Sequence, residues 1–200
     1  MVSMRSLATA GLLLGLLPLA AACGGATATH SVTLHHTGTP ELFRYAAGGR
    51  DLQTVVLGNP TAAPQGEFDR AVVAAMQGAP FGPETRFTTA PSARARPGYR
   101  VAMLFGDPSG LSGLRACRAA DQAVSGTAET VPGVTDGGPL HLQAAFCYRE
   151  RVLSEARVDA GDIASPQDPK LRSAVRQAVL ALFPRRDPDR LPDHEILPDS

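Results

Sequence analysis

Leu140-His141-Leu142-Gln143-Ala144-Ala145-Phe146-Cys147-Tyr148 is the stretch from which the fold class is read. Leu140, Leu142, Ala144, Phe146 and Tyr148 alternate with His141, Gln143, Ala145 and Cys147, the period of two that puts successive side chains on opposite faces of a strand. Cys147 therefore points away from the aromatic face. Val152 to Val158 follows at once and reads as an antiparallel return, although Glu150-Arg151 is poor chemistry for a tight turn. Upstream, Tyr99 to Phe105 alternates in the same way, with Tyr99, Val101, Met103 and Phe105 on one face, and Asp107-Pro108-Ser109-Gly110 breaks it. Thr85 to Thr89 and Ser31 to His36 supply shorter strand candidates. Glu41 to Ala47 and Leu52 to Leu57 flank Gly48-Gly49-Arg50-Asp51 and predict a hairpin, ended by Asn59-Pro60.

Two segments have helical period instead. Phe68, Ala71, Val72, Ala75 and Met76 make one apolar stripe over Glu67 to Gln77, stopped by Gly78-Ala79-Pro80. Asp168-Pro169 offers an N-cap with proline at the first helical position, and Leu171, Ala174, Val175, Ala178, Val179 and Leu182 form the buried stripe of the second helix. Arg172, Arg176 and Gln177 face water there, and Phe183-Pro184 ends the helix. Residues 124–138 read as loop. Runs of strands with two helices predict an α+β fold: an antiparallel sheet of about five or six strands with two helices packed on one face. A doubly wound parallel sheet needs helices alternating regularly with strands, and only two helices are evident.

The 200 residues suit one domain, 31–184, and Gly plus Pro, 20 and 17, predict many turns without preventing a packed core. The 19 basic and 19 acidic side chains cancel, which excludes nucleic-acid binding driven by bulk charge. The cancellation is uneven. Residues 187–200 hold five acids against Arg190 alone, an acidic tail expected to be disordered from 185 onward, while the body from 23 to 186 is mildly basic.

Residues 1–22 read as a secretory signal: Arg5, an apolar run from Leu7 to Leu19 too short and interrupted to span a bilayer, then Ala20-Ala21-Ala22 before Cys23. The small residues before Cys23 resemble the lipobox of bacterial lipoproteins, with Ala20 where that family most often has leucine. The resemblance implies a fatty-acylated Cys23, followed by a flexible tether over 23–30. Gly24, in the place where aspartate retains lipoproteins at the inner membrane, implies the periplasm-facing outer membrane of a bacterial cell envelope. The competing cleavage, an Ala-x-Ala site releasing a soluble chain, leaves three thiols that cannot all pair. With Cys23 acylated, Cys117 and Cys147 remain as a disulfide pair. In outline, a lipid tether and a small sheet backed by helices is similar to envelope lipoproteins that assemble or adapt other complexes.

Catalytic motifs fail one by one. Gly110-Leu111-Ser112-Gly113-Leu114 resembles a nucleophile elbow but lacks its second flanking glycine. Adjacent His35 and His36 point to opposite faces of a strand and do not chelate together, which leaves His36 with His141 on a neighbouring strand as the pair to test for a metal. Asp159 and Asp162 around Gly161 lack the dense ligand spacing of a calcium loop. Neither a cofactor nor a catalytic residue is called for. The expected function is a non-catalytic, lipid-anchored envelope lipoprotein, an assembly or adaptor protein, with a periplasmic metal-binding protein or hydrolase as the alternative. Arg94, Arg96 and Arg100 are the candidate contact for another envelope protein, anionic lipid or lipopolysaccharide phosphate.

Overall fold

A computed structural model of the chain describes residues 28–34, 39–127 and 138–184. The strand read first is real and central. Pro139–Tyr148 lies between Tyr99–Phe105 and Arg151–Asp162, antiparallel to both. In chain order the elements are β1 (Ala28–Leu34), α1 (Thr39–Ala47), β2 (Arg50–Leu57), α2 (Gln65–Met76), β3 (Thr85–Thr88), β4 (Tyr99–Phe105), α3 (Gly113–Ser125), β5 (Pro139–Tyr148), β6 (Arg151–Asp162) and α4 (Pro169–Leu182). The six strands form one sheet in the order β1-β6-β5-β4-β2-β3.

The α+β class holds, but the sheet is mixed: β2 runs parallel to both β3 and β4. The reason lies in the connections. The expected hairpin over 41–57 is absent because Thr39–Ala47 is helical, with Pro40 and Glu41 in its first turn and Phe43, Ala46 and Ala47 on the buried face. After β2 the chain crosses back through α2, and a helical crossover returns it to the starting end of the sheet, so the next strand must run parallel.

Among the described residues four α-helices replace the expected two, and they occupy both faces. Phe68 and Val72 of α2, Phe43 of α1 and the α4 stripe pack on Val101, Met103, Phe105, Leu140, Leu142 and Phe146. On the reverse face α3 covers Leu57, Ala102, Leu104, Ala145 and Cys147 with Ala116, Cys117 and Ala120. β4 and β5 are buried on both sides, which is why both carry runs of apolar residues as well as alternation. The Ser112 side chain caps α3 by accepting from Arg115 N, and Gly126 closes it at φ 76°, the left-handed conformation that glycine adopts freely. Glu155 seats the first turn, its Oε2 accepting from Gly113 N at 2.7 Å and from Gln143 Nε2 at 2.9 Å. Cys117 and Cys147 are joined, S–S 2.01 Å, and tie α3 to β5.

The register divides the sheet into two ends. Ala28 pairs with Asp159, Asp159 with His141, Leu142 with Phe105, and Leu104 with Leu57. At this Ala28 end β2, β4 and β6 finish, and each feeds one of α2, α3 and α4. At the opposite end Tyr99 pairs with Tyr148 and Tyr148 with Arg151. β1 begins at Ala28, inside the stretch expected to be tether.

Candidate functional site

Tyr99 opens β4 and Tyr148 closes β5; their pairing makes them cross-strand neighbours, with ring centroids 4.9 Å apart. Tyr45, from the last turn of α1, meets Tyr99 edge-on at 5.9 Å. These are all three tyrosines of the chain. Tyr45 is 53% exposed and Tyr148 39%, whereas Tyr99 lies lower and stacks on buried Phe146 at 6.1 Å. Burial, and then the neighbouring Tyr45 and Tyr148 phenols, push the Tyr99 hydroxyl above its ordinary pKa despite the opposing pull of Arg96. The Arg96 guanidinium lies 4.4 Å from the centroid of the Tyr45 ring, within cation–π range, and that of Arg149 5.9 Å from Tyr148.

The backbone around this patch is tightly specified. Gly98 has φ +84°, and a Cβ there would come within 3.0 Å of Tyr148 Cε2, so only glycine lets the loop pass beneath the ring. Its carbonyl accepts from Arg149 N at 2.7 Å. The loop carrying Arg96 is clamped by Asp51, whose carboxylate accepts from Arg86 Nε at 2.8 Å, from Arg86 Nη2 at 2.9 Å and from Ser92 N at 2.8 Å. Those bonds, Arg86 first and then Ser92, hold Asp51 well below the usual carboxylate range, so the clamp stays charged throughout the neutral range.

The three arginines expected to act together do not form one patch. Arg94 is exposed and donates Nη2 to Gly49 O at 3.2 Å, and Arg96 covers Tyr45. Arg100 is 5% exposed on the other face of the sheet, with Nη1 2.6 Å from Asp121 Oδ1 on α3. Tyr99 and Arg100 are adjacent on a strand, so one side chain goes to each face. Arg100 is thus a structural partner of α3 and not a surface contact. Arg100→Ala should lower stability by about 1–3 kcal/mol, because Asp121 loses its partner while still partly covered. An unchanged urea midpoint would show that the pair contributes nothing.

The other candidates resolve in the same way. Ser112 is a helix cap. His141 Nδ1 lies 2.7 Å from Asp159 Oδ1, an oxygen that Arg157 Nε also approaches at 3.7 Å. His36 and Cys23 lie outside the described residues, as does the tail from 185. Among the described residues no group of three His, Cys, Asp or Glu is placed to hold a metal ion. No helix among them is long and apolar enough to cross a membrane. The tyrosine patch itself was not evident from sequence. Tyr99 and Tyr148 do fall on the apolar side of their strands, but only the pairing of β4 with β5 makes them neighbours, and the helical state of α1 brings in Tyr45.

No family model matches the chain, and no curated protein matches it. Among solved structures it is similar to a PelC L103M dodecamer from Paraburkholderia phytofirmans, with a TM-score of 0.41 and 10% identity over 80% of this chain and 100% of that one, a likeness too distant to carry a functional assignment.

Proposed function

We propose that this chain is a non-catalytic lipoprotein of the bacterial envelope, anchored through acylated Cys23 in the periplasm-facing leaflet of the outer membrane, and that it serves as an adaptor for another envelope protein. The observation that carries this reading is the surface of Tyr45, Tyr99 and Tyr148 with Arg96 and Arg149, at the end of the sheet opposite Ala28. Tyrosine and arginine are the side chains that most often dominate protein–protein contacts, because each offers a large rigid area with a polar tip. Cys23 precedes Ala28 by five residues, a span of at most about 17 Å, so an anchor at Cys23 would stay near the Ala28 end. The tyrosine surface would then face away from the membrane, toward a partner.

Two measurements test this. Wild-type protein should take up a fatty-acid analogue and Cys23→Ala should not; label on the variant sinks the anchor. Pull-downs from solubilised envelopes should recover the same partner with wild type and Arg94→Ala, and lose it with Tyr45→Ala/Tyr148→Ala. Equal recovery by the tyrosine variant would refute the docking surface.

A further inference from the structure

A groove of about 460 Å³ opens beside Pro166, Gln167 and Asp168, in the loop after β6, and runs along α2 from Glu67 to Ala75 and along α4 as far as Arg176. Arg70 lines it from α2, and Arg172 and Arg176, one turn apart on the same side of α4, line it from across. All three are exposed. Among the described residues none lies within ion-pair distance of a carboxylate, whereas Arg44, Arg86, Arg100, Arg118 and Arg157 each do. The carboxylates at the groove are otherwise engaged. Glu67 Oε1 accepts from Gln167 Nε2 at 3.0 Å, and Asp168 caps α4, accepting from Lys170 N at 2.9 Å and from Ala164 N at 3.3 Å. Ala71 and Ala74 form part of the lining, so no long side chain of α2 stands between the guanidinium groups there.

Three exposed arginines lining one groove beside a small-residue wall suit a phosphate, which arginine can grip with two donors at once. Position selects the source. Its lining at Pro166, Gln167 and Asp168 belongs to the loop that follows β6, the strand whose Asp159 pairs with Ala28, so this part of the groove lies toward the end that the chain from Cys23 must enter within about 17 Å. We infer that Arg70, Arg172 and Arg176 seat the phosphate of an anionic phospholipid headgroup in the membrane that holds Cys23. Lipid and headgroup then fix the domain at two points, which sets its orientation as well as its distance. This inference rests on the anchoring proposed above, but its test does not need the acyl chain.

Cys23→Ala protein beginning at residue 23, without the apolar leader, is sedimented with vesicles of phosphatidylcholine alone or mixed with phosphatidylglycerol. Sedimentation should require phosphatidylglycerol. Arg70→Ala/Arg172→Ala/Arg176→Ala should weaken it by about fivefold per arginine, roughly a hundredfold in all, and the effect should shrink in high salt. Arg94→Ala/Arg151→Ala, at the opposite end, should leave it unchanged. Equal sedimentation of the triple variant overturns the proposal, as does dependence on Arg94 and Arg151 instead. Tight binding of inorganic phosphate by calorimetry, without any preference for phosphatidylglycerol, assigns the groove to free phosphate and also overturns it. Vesicle binding through the three arginines in a protein that takes up no label at Cys23 upholds the groove and removes the anchor, so the two failures are distinguishable.

Discussion

Phe146→Ala should destabilise the domain by about 3–5 kcal/mol, the range for emptying a phenylalanine site in a core that cannot collapse around it. Phe146 is fully buried in β5 and meets Phe183 edge-on at 5.2 Å, Phe43 at 6.4 Å and Tyr99 at 6.1 Å. Three elements converge on that ring: α1 through Phe43, the end of α4 through Phe183 and β4 through Tyr99. Phe43 and Phe183 stack on each other at 3.9 Å, so neither can move into the space without leaving the other. Phe146→Leu should recover more than half of the loss. A urea midpoint for Phe146→Ala within error of wild type would mean that the site refills, and would contradict this packing.

Removing the disulfide with Cys117→Ala/Cys147→Ala should cost about 3–4 kcal/mol, from the entropy returned to an unfolded chain no longer closed across 30 residues. The structural context argues for the full amount. α3 presents Gly113, Ala116, Cys117 and Ala120 to the sheet, so it buries far less apolar surface than a leucine-faced helix of its length. Beyond the disulfide and this thin apolar contact, α3 is held by polar attachments: Glu155 on Gly113 N, and Asp121 on Arg100. Amide exchange should therefore quicken more in α3 than in α4 once the cysteines are gone. Uniform quickening across the domain would show that α3 keeps its seat on the sheet without the disulfide.

How much of this was legible in the sequence depended on side-chain size. The strand alternation of β4 and β5 and the leucine and valine stripe of α4 were readable because large apolar residues mark their period; so was the return of β6. α3 was missed because its buried face is alanine and cysteine, which leave little periodic contrast, although Ser112 and Gly126 stood at its two ends as cap signals. Its omission hid the second helical face of the sheet. Over α1, Leu42, Phe43 and Tyr45 suit a strand, and the only local features that favour a helix start are Pro40 and Glu41 in its first turn. The expected hairpin stands where a helix leads into β2; the parallel pairs follow instead from α2, whose stripe is legible but whose role as a crossover between β2 and β3 is fixed only by the sheet. Local sequence could not assemble the tyrosine surface or the arginine groove, since each joins residues from elements distant in the chain.

The grouping of Tyr45, Tyr99 and Tyr148 has an optical consequence. The chain has no tryptophan and just these three tyrosines, so its ultraviolet emission and its tyrosine circular dichroism both originate at one small region of the molecular surface. The protein is thereby its own label: a partner seated on that surface would change a signal to which the rest of the domain contributes almost nothing, and binding can be followed without attaching a dye.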